Sequence, residues 1–318
     1  RLSASVSGRT RLAILVMIVT PLFFSTNLIF GRGVVDEIAP FTLALIRWAA
    51  VALALSPFIL MEWQTVRALV ASNWRRLLLL AFLGMWICGA IVYLALGWTS
   101  ATNGTLIYTT SPVIIIVLEA IFFGRRIGWR EATGALIAFF GVATIVLRGD
   151  SGAILTLDFN LGDLLFVGAA ISWAVYSILY RSGPLRQISN MTLFAIVAAG
   201  GALLLLPVAA VEWAMGATLP TTASAWGGIG GIIVFASLLA FSGFQFGVRE
   251  LGAPLASVFM YLLPPYGVGL AVAFLGESLQ AFHVAGIAFV MAGIVLATLP
   301  AGIARKANAP DQNASHAK

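Results

Sequence analysis

The run "TLALIRWAAVALALSPFILMEW", residues 42–63, carries one ionisable side chain in its apolar body, Arg47. A guanidinium about 9 Å inside an apolar helix has three uses: it snorkels to the interface, bonds carbonyls freed by helix breaks, or meets a solute carboxylate. All three remain open for Arg47. Other candidate side chains within apolar runs are neutral or aromatic: Asn27, Trp86, Tyr93, Tyr108, Trp173, Tyr176, Gln245 and Tyr261. Small-molecule pockets are mostly apolar and aromatic, with a few oriented polar groups. This set suits a neutral or zwitterionic solute with a flat apolar part, and helix packing is the competing use of each member. Pro112 and the pair Pro264-Pro265 sit inside apolar runs and are read as helix kinks. A proline in lipid frees a carbonyl, so it is tolerated where neighbouring helices, Ser/Thr side chains or cavity water supply partners. The expectation is a kinked pair lining a central cavity; a kink that only improves packing is the alternative.

Catalysis has no footing here. H-E-x-x-H, G-x-S-x-G, a paired acid motif and a Walker A sequence are all missing, which speaks against an embedded enzyme and against ATP-driven pumping by this chain. Cys88 is the single cysteine, so disulfides within the chain and Cys-based metal sites are excluded, and it is read as an apolar filler. No cofactor and no metal are expected. Glu119 lies within two turns of Arg125 and Arg126, where a local pair competes with a proton-coupling role; His283 reads as a wetted surface histidine.

The elements that position these groups follow from composition. Of 318 residues 61% are hydrophobic and 9% charged, with a mean hydropathy of +1.02. Soluble domains carry roughly 25% charged residues, so the chain is an all-α membrane protein. Ten apolar stretches reach spanning length: 12–30, 41–61, 77–98, 101–122, 131–148, 161–180, 190–211, 226–246, 253–275 and 280–299. The first is read as a retained span, because it lacks an A-x-A-like cleavage site. A pI of about 10 does not point to nucleic acid, because the basic residues form no patch and sort by loop instead. One side collects Arg1, Arg9, Arg11, Arg67, Arg75, Arg76, Arg125, Arg126, Arg130, Arg181, Arg186, Arg249, Arg305, Lys306 and Lys318, and the other keeps Arg32, Arg148 and most acids. Lys/Arg bias in short loops makes the first side, and both termini, cytoplasmic.

The chain also repeats. Shifted by 150 residues, "TLALIRWAAVALALSPFILMEW" falls on "TLFAIVAAGGALLLLPVAAVEW" with ten of 22 positions identical, Pro57/Pro207, Glu62/Glu212 and Trp63/Trp213 among them. A shift of 152 pairs Pro112 with Pro264, Gly134 with Gly286 and Gly141 with Gly293. Five spans per half is an odd number, so the halves enter the bilayer in opposite senses. Inverted repeats place substrate at the repeat interface near the midplane and alternate access around it. The expected organisation is a cytoplasmic segment 1–10, a first repeat 11–150, a second, inverted repeat 151–300, and a disordered cytoplasmic tail 301–318. The glycine-spaced fifth and tenth helices are expected to pack closely, a surface that would also serve a homodimer.

"RWAAVALALSP", "SPVIIIVLEAIFFG", "ISWAVYSILYR" opening the second half, and "LPPYGVGLAVAFLGE", by their order and duplication, resemble the ten-helix EamA-type branch of the drug/metabolite transporter superfamily over residues 10–300. The first half departs from the family's "GE" ending, with Gly124-Arg125 where the second half has Gly276-Glu277. The resemblance implies a secondary transporter of the bacterial inner membrane, exporting small metabolites, amino acids and aromatic ones foremost. Phosphorylated solutes would want several buried cations, and only Arg47 is available. Cationic-drug antiporters of the superfamily use an acid in their first helix, and "LAILVMIVTPLFFSTNLIF" has none. A non-transporting membrane scaffold is the alternative from another class.

Overall fold

The structure, a computed structural model, describes residues 8–32, 37–95, 107–150, 160–181, 183–275 and 278–298, together with Val34, Trp98, Thr99, Gly104 and Gly152. The tail 301–318, most of segment 1–10, and Asp36, Gly97, Asp158 and Gly276-Glu277 lie outside the described residues. Among the described residues ten long or apolar helices follow in order, with a short 3₁₀ turn at Gly183–Gln187 between the sixth and seventh. They are α1 (Gly8–Arg32), α2 (Pro40–Met61), α3 (Trp63–Ala95), α4 (Ser111–Phe123) and α5 (Trp129–Val146), then α6 (Leu161–Arg181), α7 (Asn190–Ala214), α8 (Ala223–Leu251), α9 (Ala253–Phe274) and α10 (Ala281–Thr298). Eight are long and apolar enough to cross a membrane; α4 and α10 are shorter and equally apolar. This is an all-α membrane fold of two five-helix halves, with a cavity between them.

Two helix pairs join the halves, and each explains a sequence match. The first is α2 against α7. Glu212 at the end of α7 accepts from Phe41 N (3.0 Å), Thr42 N (2.7 Å) and Thr42 Oγ1 (2.8 Å) at the start of α2. Glu62, just past the end of α2, accepts from Ser189 N (3.0 Å) and Thr192 Oγ1 (3.0 Å) at the start of α7. The first N–H groups of a helix have no intrahelical partner and sit at the positive end of its dipole, so an anion there is doubly favoured. The two helices are therefore antiparallel and cap one another with equivalent glutamates. The carboxylate at each end of this pair is the reason the repeat keeps Glu at both places.

The second pair is α5 against α10. A Cβ on Gly134 would stand 2.6 Å from the Gly293 carbonyl oxygen, and one on Gly141 would stand 2.6 Å from that of Gly286. Backbone touches backbone, so no side chain fits between them. The seven-residue glycine spacing is spent inside the chain. Elsewhere α1 runs antiparallel to α8, with Gly247 against Met17, Gly231 against Phe30, and an Arg9–Glu250 ion pair (3.3 Å) at one end.

Three departures from the sequence reading concern helix breaks. The connection before the third span is itself helical: residues 63–73 bury Val66 and Leu69 with Arg67 exposed, and the chain turns at Asn73 (φ −130°, ψ 20°) to enter the span. Pro112 does not kink the middle of a helix. It occupies the first turn of α4, where a missing N–H leaves no bond unmade. Likewise, α9 passes through a 3₁₀ stretch, Phe259–Leu262, and Pro264-Pro265 then fall in the first turn of its second part, Leu263–Leu275. All three prolines lie in the first turn of a helical segment. Further irregularities inside long spans are π stretches, Phe82–Ile91 in α3 and Ile232–Leu239 in α8, which start at the same 150-residue offset as the α2/α7 match.

Candidate functional site

A cavity of about 410 Å³ opens between the halves. Helix α1 contributes Phe24, Ser25 and Asn27, α2 contributes Arg47, and α3 contributes Cys88, Val92 and Tyr93. Tyr108 and Thr109 enter from the turn before α4. The second half supplies Phe166 and Trp173 from α6, Phe241 from α8, and Met260, Leu263, Pro264 and Gly267 from α9. Its size falls within the roughly 300–1,000 Å³ common for small-molecule sites.

Arg47 anchors its polar side. The side chain is 5% exposed, and Nε donates to Ser237 Oγ at 2.5 Å while Nη2 donates to the Ala236 carbonyl at 2.9 Å. Both acceptors sit in the π stretch of α8, a register common at functional sites. Ser237 Oγ in turn donates to the Ile232 carbonyl five residues back, at 2.8 Å. Arg47 Nη1 reaches Tyr93 Oη at 3.4 Å, and Asn27 Nδ2 donates to the same oxygen at 3.2 Å. Arg47, Tyr93 and Asn27 thus form one polar chain along the wall. No Asp or Glu lines the cavity among the described residues, and Arg47 joins no ion pair there.

The apolar side is an aromatic corner built on Trp173. Its ring meets Phe24 edge-on at 6.2 Å and 87°, and Phe241 at 5.7 Å and 88°. Phe24 and Phe241 meet each other at 5.2 Å. Such geometries favour ring edges against ring faces. Behind this wall Tyr176 stacks on Trp173 at 5.5 Å and accepts from Gln245 Nε2 at 2.6 Å, both residues fully buried.

The sequence candidates therefore separate by place. Asn27, Arg47, Tyr93, Tyr108, Trp173 and Pro264 share the cavity wall. Tyr176 and Gln245 stand behind it. Tyr261 and Pro112 line a neighbouring void of about 30 Å³, with room for a water near the Tyr261 hydroxyl, which has no partner among the described residues. Trp86 lies on another part of α3, stacked on Phe82 at 5.3 Å. Pro265 is adjacent to the wall in sequence without lining it.

The wall also holds Phe24, Phe166, Phe241 and Met260, which residue type alone does not mark, and Cys88, whose type suggests filler. Helical spacing was the available signal. Phe241 lies four residues from Ser237 and from Gln245, Phe166 lies seven from Trp173, and Phe24 three from Asn27. Each shares its helix face with a polar or aromatic candidate. The remaining charged candidates act locally. Arg125 holds Glu131 through two bonds of 2.9 Å and lies 3.9 Å from Glu119. His283 Nδ1 accepts from Gln280 N at 3.1 Å at the start of α10. No group of three His, Cys, Asp or Glu side chains among the described residues is placed to hold a metal ion.

Comparison with known proteins agrees with this architecture. The model of the EamA-like transporter family matches the chain twice, over residues 11–147 and 160–299. A protein of Archaeoglobus fulgidus named only as an uncharacterized transporter is 29% identical over 295 residues, covering 89% of this chain and 96% of that protein. A protein of Streptantibioticus cattleyicolor named "Probable terminal-alkyne amino-acid exporter" is 25% identical over 197 residues, covering 62% of this chain and 63% of its own length. A solved crystal structure superposes with a TM-score of 0.71 at 18% identity, covering 94% of this chain and 99% of the other, a likeness of fold.

Proposed function

The chain belongs to the EamA-like transporter family, whose members are transporters and not enzymes, and on that premise we propose that it is a secondary exporter of small metabolites, amino acids including aromatic ones foremost. One observation carries the reading: a solute-sized cavity lies where the two halves meet, one wall polar around Arg47 and the other aromatic around Trp173. A pocket of this kind orients a small solute by its polar end and sheathes its flat part. Access alternates as the first half, 11–150, moves against the second, 151–300, with the prolines Pro112, Pro264 and Pro265 marking where α4 and the second part of α9 begin beside the cavity. A relative named as an amino-acid exporter supports the substrate class. The narrower likeness, to the aromatic amino-acid exporter YddG, is favoured by the aromatic corner. The charge sorting of the loops supports both termini in the cytoplasm of a bacterial inner membrane. Because the glycine faces of α5 and α10 are used against each other, a homodimer would need another surface.

The test is transport in proteoliposomes loaded with labelled phenylalanine, threonine or a purine. Counterflow of an amino acid is the expected result. Movement of the purine with neither amino acid would shift the reading to another neutral metabolite, and movement of none would overturn the exporter assignment.

A further inference from the structure

We infer that the cavity recognises its solute through a carboxylate, with the amino group dispensable, so that its ligands are carboxylate-bearing solutes with an apolar or aromatic body. The inference rests on the reading of the cavity as the transport site and names the chemistry that site selects.

The charge balance of the wall carries it. Arg47 is a cation at 5% exposure whose three hydrogen-bond partners, Ser237, the Ala236 carbonyl and Tyr93, are all neutral, as are the rings of Trp48 and Phe241, whose centroids lie 4.6 Å and 5.7 Å from its guanidinium carbon. A buried charge is costly unless paired, and neutral acceptors disperse the charge without cancelling it. Of the five N–H groups of a guanidinium these three bonds use three, which leaves two with no partner among the described residues. A carboxylate entering the cavity supplies both the missing charge and the missing acceptors, in the geometry to which a guanidinium fork is suited.

Among the described residues nothing comparable awaits an ammonium. The polar side chains on the wall besides Arg47 are hydroxyls, an amide and a thiol, from Ser25, Asn27, Cys88, Tyr93, Tyr108 and Thr109. The faces of Trp173 and Phe24 give a cation a place to rest without an anion to hold it. An amino group is therefore tolerated and not required.

The repeat separates this role from mere bracing of the fold. At the 150-residue offset Arg47 corresponds to Val197, which is fully buried. Helix α7 occupies its equivalent place in the second half with no cation at that position. The fold is built twice, and the charge appears once, on the copy whose side chain reaches the cavity.

The full chain in lipid nanodiscs is titrated with phenylalanine, 3-phenylpropionate, phenethylamine and phenylalaninamide, and with leucine and 4-methylpentanoate as aliphatic counterparts. Binding is read as a ligand-dependent rise in the unfolding temperature. Phenylpropionate and phenylalanine are expected to bind at least about tenfold more tightly than the amine and the amide, the scale of a charge-assisted hydrogen bond. Arg47→Gln is expected to bring the carboxylates down to the level of the amide. The wild-type series decides alone if that variant does not fold. Equal or tighter binding of the amine or amide, a carboxylate preference that survives in folded Arg47→Gln, or no binding by any of the carboxylates would each overturn the inference. Binding of the desamino acids without amino-acid export would remove the amino-acid reading and leave this one standing. Amino-acid export with the amide bound equally well would do the reverse.

Discussion

Glu212→Ala tests whether the two halves are held by the reciprocal caps. The substitution removes the acceptors for Phe41 N, Thr42 N and Thr42 Oγ1. Ala39 at the start of α2 offers no side-chain cap, and Pro40 follows it, so Glu212 is the acceptor that these amides have. Loss of an N-cap acceptor costs about 1 kcal/mol and reaches about 2. Loss of an anion at a helix start adds about 0.3–1 kcal/mol. The site is half-buried and water can recover part of this, so a total of about 1.5–2.5 kcal/mol is expected. Glu62→Ala should cost less, about 1 kcal/mol. There one backbone N–H is lost, and Ser189 Oγ already accepts from Thr192 N at 3.1 Å. The two sites lie at opposite ends of a 22-residue helix, roughly 33 Å apart, so the double variant should be additive within about 0.5 kcal/mol. Equilibrium unfolding in mixed detergent micelles, followed by helicity, gives all three values. A Glu212→Ala cost below about 0.5 kcal/mol, or a larger loss from Glu62→Ala than from Glu212→Ala, would refute the cap argument.

Two further outcomes follow from the same packing. Gly141→Leu drives a side chain against the Gly286 carbonyl at the α5–α10 contact, so it should lower stability by at least about 1–3 kcal/mol and reduce the yield of monodisperse protein; a wild-type unfolding curve would contradict the backbone contact. Burial pushes the Glu62 carboxyl up, but hydrogen bonds from Ser189 and Thr192 and the charge of Arg249 bring it below the ordinary carboxylate range. A depressed folded-state value means that its stabilisation is complete at neutral pH and fades as the pH falls through and below about 4. Glu62→Gln should therefore narrow its gap to the wild type across that range, as read from unfolding temperatures between pH 7 and pH 3.5.

The contrast between what was legible in the sequence and what was not has a physical basis. Span positions, the odd count per half and the Glu62/Glu212 match are properties of local hydropathy and of residue identity, and these survive without coordinates. The purpose of that match was hidden, because a cap on another helix depends on a contact across the halves. Proline identity announces a missing N–H, but where the regular helix resumes around it depends on the preceding turn. Asn27, Arg47, Tyr93 and Trp173 were legible as odd residues in apolar runs. Phe24, Phe166 and Phe241 are three of 21 phenylalanines, and only the assembled helices distinguish a wall from a lipid face. The π stretches carry no signature in residue type, and one of them places the acceptors for Arg47.

Cys88, the single cysteine of the chain, lies on the cavity wall and makes its alkylation a direct report on the central claim. In proteoliposomes, a saturating transported solute should slow labelling of Cys88 by a small maleimide, with half-protection at the concentration that half-saturates transport. An unchanged labelling rate at saturating solute would contradict the claim that the space between the two halves is the solute's path.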